Sequence, residues 1–185
     1  YVGKLKTFDA GRGCPFECSF CTIINVQGRK SRSRTADDVD AIIRENHRQG
    51  IKRYFITDDD FARNKHWESI FDRIILLRER DNLDISFIIQ VDTASHRLPR
   101  FIEKAGKAGC RKVFIGIENV NSATLKATGK KQNRVEEYRE MLQAWRRSNA
   151  VTFAGYIIGF PEDTYESVMR DVEILKNDLP LDLVE

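Results

Sequence analysis

Cys14, Cys18 and Cys21 fall within eight residues of one another in Gly11-Arg12-Gly13-Cys14-Pro15-Phe16-Glu17-Cys18-Ser19-Phe20-Cys21. A tetrahedral zinc site normally joins two such cysteines to a second Cys or His pair further along. The remaining thiol, Cys110, is remote in sequence, and His47, His66 and His96 form no ligand-spaced pair. Three thiolates on one tight loop suit a cubane iron–sulfur cluster in which one iron lacks a protein ligand. An open iron can take up a small molecule, as the open position of a catalytic zinc does. An electron-transfer ferredoxin would close all four irons. A degenerate zinc loop and buried free thiols are the plainer alternatives, and the spacing alone leaves both standing.

Such a loop needs a frame. Short β-rich runs alternate with helical patterns along the chain. Strands are predicted at residues 5–10, 53–57, 85–91, 112–117 and 151–158, with a sixth beginning at 181–184. From the second onward they start about 30 residues apart, one βα unit each. The first helix opens on a capping box, Thr35 with Asp38, and puts Val39, Ile42 and Ile43 on one face. The second carries Trp67, Ile70, Phe71, Ile74 and Ile75, and the third carries Phe101, Ile102 and Ala105 and stops at Gly109. The fourth spaces Val135, Tyr138, Met141, Leu142 and Trp145 helically, a stripe read as packing against the sheet rather than as a cofactor box. Strands as apolar as Phe87-Ile88-Ile89 and Val113-Phe114-Ile115 imply a parallel sheet covered by helices, doubly wound or a barrel short of eight units. Reactive groups then belong on the loops after the strands' C-terminal ends, where the three cysteines stand.

Composition agrees with one folded domain over residues 1–185. Of 185 residues 41% are hydrophobic and 32% charged, which excludes a disordered chain. No apolar run approaches the ~20 residues of a membrane span. Thirty-one Lys and Arg against 28 Asp and Glu leave a net charge of +3, too mild to name a partner. Three clustered thiols fit a reducing compartment, the cytoplasm, better than a secreted disulfide scaffold. The chain opens on Tyr1 without a basic-then-apolar leader, which predicts a piece of a longer protein.

Cys14-x-x-x-Cys18-x-x-Cys21, with aromatic Phe20 before the last cysteine, resembles the radical S-adenosylmethionine (radical SAM) superfamily. Two further stretches carry the resemblance over nearly the whole chain. Gly155-Tyr156-Ile157-Ile158-Gly159-Phe160-Pro161-Glu162 is similar to the superfamily's G-x-I-x-G-x-x-E pattern, whose backbone lines the adenine; Gly155 and Gly159 would let it approach closely. Glu118 ends the fourth strand where the family places a polar contact to the ribose or methionine part. Gly-Gly-Glu, which meets the methionine amino group after the family's second strand, is replaced by Asp58-Asp59-Asp60. One or more of these carboxylates could hold the ammonium by charge; the plainer reading is an acidic cluster at a helix N-terminus. Asp92, closing the third strand, either touches substrate or caps the next turn.

The resemblance implies a partial (β/α)6 barrel, an α/β fold with a parallel sheet and outer helices that stops at the start of its sixth strand. It implies a [4Fe-4S] cluster on Cys14, Cys18 and Cys21 that binds SAM through its open iron. Reduced by a flavodoxin or ferredoxin, the cluster would cleave SAM to a 5′-deoxyadenosyl radical that takes a hydrogen from a small-molecule substrate. Cys18-Ser-Phe-Cys21-Thr-Ile-Ile-Asn-Val-Gln-Gly, the acidic second loop and Gln90-Val91-Asp92 resemble the cobalamin-dependent group, which includes the anaerobic magnesium-protoporphyrin ester cyclases and assorted methyltransferases. Their cobalamin domain lies upstream of the radical domain. Gly28-Arg29-Lys30-Ser31-Arg32-Ser33-Arg34 is similar to a run in tRNA methylthiotransferases, the rival within enzymes; without interleaved aromatics, nucleic-acid binding is disfavoured. A non-catalytic iron–sulfur carrier or sensor is the rival outside them.

Overall fold

The computed structural model describes residues 5–185; Tyr1 lies outside them. Six strands form one parallel sheet: β1 (Leu5–Phe8), β4 (Arg53–Ile56), β5 (Ser86–Val91), β6 (Cys110–Glu118), β7 (Val151–Tyr156) and β8 (Leu183–Val184). Their order in space is their order along the chain, β1-β4-β5-β6-β7-β8. Each neighbour is therefore reached by a βα crossover on the same side, the winding of a barrel and not of a doubly wound sheet. The remaining strands, β2 (Gly11–Arg12) and β3 (Arg32–Ser33), pair antiparallel as a small hairpin beside the first strand end.

The helices are α1 (Ile23–Val26), α2 (Ala36–Arg48), α3 (Trp67–Glu79), α4 (Phe101–Ala108), α5 (Ser122–Ala127), α6 (Tyr138–Arg147) and α7 (Tyr165–Asn177). α2 starts where its capping box requires: the Asp38 amide donates to Thr35 Oγ1 at 3.2 Å and the Thr35 amide to Asp38 Oδ2 at 2.9 Å. α4 ends at Gly109, whose φ of 101° is the left-handed conformation expected there. The aromatic stripe packs as core. Phe61 stacks on Phe71 at 4.9 Å, Trp67 meets Phe101 edge-on at 5.0 Å, and Phe101 meets Trp145 at 6.2 Å. Phe61, Phe71, Phe101 and Trp145 are fully buried, each contributing roughly 1.5–3 kcal/mol of apolar burial.

The apolar strand runs predict two covered faces, and the structure covers one. Along β5, Phe87, Ile89 and Val91 are buried under the helices, while Ser86, Ile88 and Gln90 are half-exposed on the other side. That inner face lines an open lumen with Phe55, Lys112, Phe114 and Phe153. The sheet curves around it as a partial barrel. Strand bounds also shift: the first strand stops at Phe8, because Asp9 and Ala10 turn into the cysteine loop, and the fourth runs from Cys110 to Glu118.

Candidate active site

The loop after β1 is fixed at its base before it reaches the first cysteine. Asp58, directly beyond β4, is almost fully buried, and its Oδ1 accepts from the Ala10 amide at 2.7 Å and the Gly11 amide at 2.8 Å. Asp59 Oδ2 accepts from the Gly13 amide at 2.7 Å. Two of the three adjacent carboxylates thus hold the backbone of the cysteine loop, and Asn64 steadies the first by donating to Asp58 Oδ2 and the Ala10 carbonyl. Burial pushes the Asp58 carboxyl up to about 6, outweighing the amide donors that favour its charged form. The third, Asp60, caps the short 3₁₀ turn Phe61–Arg63 through the Ala62 amide. Its carboxyl is driven well above the ordinary range, first by burial and then by Asp92 beside it.

Above this base, Cys14, Cys18 and Cys21 line one cleft with Phe16, Phe20, Asp59, Asp60, Gln90, Asp92, Glu118, Lys130 and Gln132. No disulfide joins the thiols. Burial raises the Cys14 thiol to about 11, helped by the charges of Asp60 and the other two cysteines. Bound metal cations invert this balance by stabilising the thiolates. Three free thiols on one cleft, with no histidine among the described residues of its walls, offer sulfur ligands to three irons of a four-iron cube and leave the fourth open. The residues present therefore fit the cluster.

Glu118 reaches the cleft through a backbone irregularity. The β6–β7 register slips between Gly116 and Glu118, and Glu118 takes a φ of 63°, rare for a side-chain-bearing residue. Asn133 Nδ2 braces the bulge by donating to the Gly116 and Ile117 carbonyls at 3.0 and 2.8 Å. Glu118 Oε1 accepts from Lys130 Nζ at 2.7 Å, and the same ammonium lies 5.8 Å from the centre of the Phe20 ring. Asp92 caps the turn that follows β5 by accepting from the Ala94 amide at 2.6 Å, and its Oδ2 takes the Arg63 guanidinium at 2.5 Å.

The structure thus gathers Cys14, Cys18, Cys21, Phe20, Asp59, Asp60, Asp92 and Glu118 around one cleft. Asp58 stands behind it, holding backbone. Gly155, Ile157 and Gly159 lie at the neighbouring strand end, outside the cleft's walls. A Cβ on Gly155 would meet Phe114 Cζ at 2.8 Å, so this glycine makes room for an aromatic ring on the next strand. The Ile157 amide donates to the Glu118 carbonyl at 2.8 Å, joining the two strand ends. Gly159 has a φ of 106° with open space around it. Lys130 and Gln132 are polar cleft residues that the sequence does not single out. Nothing in Thr128-Gly-Lys-Lys-Gln-Asn133 carries a period or a ligand spacing that would have singled them out.

A parallel partial barrel with three thiols and a bulged glutamate at its C-terminal rim is the frame of a SAM-cleaving iron–sulfur enzyme. The chain belongs to the radical SAM superfamily, whose family model matches residues 9–175. It is 31% identical over 170 residues to the bacteriochlorophyllide d C-12(1)-methyltransferase of Chlorobaculum tepidum, covering 90% of this chain and 36% of that protein. It is 26% identical over 173 residues to the anaerobic magnesium-protoporphyrin IX monomethyl ester cyclase of Synechocystis, covering 88% and 32%. Its fold matches that of the radical SAM methyltransferase TsrM from Kitasatospora setae, at 20% identity and a TM-score of 0.86, over 98% of this chain and 35% of that one. The chain therefore spans about a third of the length of these relatives. No described helix is long and apolar enough to cross a membrane.

Proposed function

We propose that Cys14, Cys18 and Cys21 hold a [4Fe-4S] cluster with one open iron, and that this cleft binds SAM and cleaves it reductively. Bound there, the cluster supplies one electron from a flavodoxin- or ferredoxin-type donor to the sulfonium of SAM. The observation that carries this reading is the convergence of the three thiols and Glu118 on one cleft at the C-terminal rim. Glu118 accepts hydrogen bonds from the ribose or methionine part of SAM; Oε1 is paired with Lys130, leaving Oε2 for the ligand. Asp59 offers negative charge to the methionine ammonium, Asp60 lines the cleft beside it as the cap of the next turn, and Asp58 keeps the cysteine loop in register beneath them. The backbone at Gly155, Ile157 and Gly159 takes the adenine. Asp92, on the cleft wall, is the candidate substrate contact, held by Arg63, whose guanidinium lies over the Phe16 ring. Anaerobic incubation of the reconstituted protein with SAM and dithionite should yield 5′-deoxyadenosine; intact SAM after full cluster reduction would refute the reading.

In the whole protein we assign this region as the radical SAM core, residues 1–185, preceded by a cobalamin-binding domain and followed by a further region, acting on a small molecule in the cytoplasm. The relatives named as methyltransferase and cyclase, and the structure of TsrM with cobalamin and a [4Fe-4S] cluster, support this reading. The methylthiotransferase alternative draws less support from the basic run. Arg29 pairs with Glu17 at 2.8 Å, Arg32 donates to the Gln27 carbonyl at 3.2 Å, and Arg34 donates to the Asp9 carbonyl at 2.7 Å. These arginines brace the cysteine loop locally.

A further inference from the structure

We propose that the turn Thr128–Gln132 is a support that sets the reduction potential of the cluster, acting through Cys18. This rests on the assignment of that thiol as a cluster ligand. The turn is docked onto the cysteine loop by backbone. The Ser19 amide donates to the Thr128 carbonyl at 2.9 Å, and Gly129, at a φ of 76°, lies so close to the loop that a Cβ would meet the Glu17 carbonyl oxygen at 2.8 Å. The other side of the turn is anchored as well. The Lys130 amide donates to the Leu125 carbonyl at 2.8 Å, and Asn133 ties the turn's end to the β6 bulge. So held, Gln132 Nε2 comes within 3.7 Å of Cys18 Sγ as a donor, and the Lys130 ammonium enters the same cleft.

One-electron reduction by an external low-potential donor adds one negative charge to the cluster and its thiolates. An N–H aimed at a ligand sulfur stabilises that added charge and raises the potential, because hydrogen bonds to the sulfurs are among the protein's means of setting it. Glu118 offsets much of the Lys130 charge at 2.7 Å. The neutral, directed donor of Gln132 therefore carries the larger share. Gln132 is a positioning residue in this account, since it touches a ligand and not SAM.

The test is a potentiometric titration of the intact, anaerobically reconstituted protein, followed by electron paramagnetic resonance, with iron content measured alongside. Gln132→Leu keeps the bulk and removes the donor; Gln132→Lys keeps a donor and adds charge. The potentials should rank Lys above Gln above Leu. Leu should disfavour reduction about tenfold at fixed solution potential, which is 59 mV for a one-electron couple. If the Leu variant fails to take up iron, Gln132→Met, unbranched like glutamine and likewise without a donor, takes its place and should also fall below the wild type. Equal potentials among the loaded proteins would overturn the inference while leaving the cluster in place. A wild type that takes up no iron would overturn the cluster assignment, and this inference with it.

Discussion

The two rims of the barrel use the same residue type in opposite ways. At the C-terminal rim, Cys14, Cys18 and Cys21 sit on a loop with Gly13 before it and a two-residue hairpin closing it. At the N-terminal rim, Cys110 begins β6, is fully buried, and directs its thiol to the Lys112 carbonyl at 3.3 Å. Burial alone drives that thiol up to about 12. Cys14 is also raised, but it faces a cleft that a metal cluster can enter, and Cys110 faces none. Access distinguishes a ligand from a small hydrophobe more sharply than thiol acidity does.

The largest expected effect breaks this comparison directly. Cys14→Ala, Cys18→Ala and Cys21→Ala should each abolish cluster uptake on anaerobic reconstitution, measured as iron and sulfide per chain. Cys110→Ala should load about four irons and lose only about 1 kcal/mol of stability. Loss of iron in a folded Cys110→Ala protein would end the distinction between the rims.

Carboxylates that accept from backbone give a second comparison. Asp58 serves two buried amides at the C-terminal rim, whereas Asp182 serves the Thr152 amide at 2.8 Å at the start of β7, with its side chain 30% exposed. Asp58→Ala should cost about 3 kcal/mol, because two buried donors lose their acceptor. Asp182→Ala should cost about 1 kcal/mol, since water can replace it. Urea denaturation of both variants would reveal the difference, and equal losses would mean that the cysteine loop does not depend on Asp58.

Asp58 also titrates. Its folded pKa of about 6 lies above the ordinary 3.8, so the native state binds the proton more tightly than the unfolded chain. The resulting stability is fully present below about pH 4, falls as pH rises through about 6, and amounts to about 3 kcal/mol. Subtracting the pH profile of Asp58→Asn from that of the wild type should isolate this decline. A flat difference between pH 4 and 7 would show that the amide donors hold the carboxyl near its ordinary value.

A further effect concerns the ligand alone. Glu118→Ala should weaken SAM binding by roughly 1–3 kcal/mol in calorimetry of the reconstituted protein, leaving its iron content unchanged. Unaltered affinity would remove Glu118 from the SAM site.

Much of the frame was legible because its signals are local. Thr35 and Asp38 mark a helix start, Gly109 marks a helix end, and the spacing of the β runs implies consecutive parallel strands. The cysteine spacing was legible for the same reason. The β2–β3 hairpin was not: two residues per strand give no alternation, and its register rests on partners distant in sequence, the Arg34 amide on the Ala10 carbonyl and the Cys14 amide on the Gly28 carbonyl. The division of labour among Asp58, Asp59 and Asp60 was equally hidden. Three identical neighbours read alike until the backbone shows that one faces the loop's base and another caps a turn. Lys130 and Gln132 enter the cleft only because Gly129 lets their turn sit on the cysteine loop, a packing fact with no sequence period.

The central claim, that three cysteines hold a cluster whose open iron meets SAM, is tested most directly by the electron paramagnetic resonance spectrum of the reduced, reconstituted protein with and without SAM. The account predicts about four irons per chain and a spectrum that changes when SAM is added. Identical spectra at saturating SAM would contradict it and point to a closed cluster that only carries electrons.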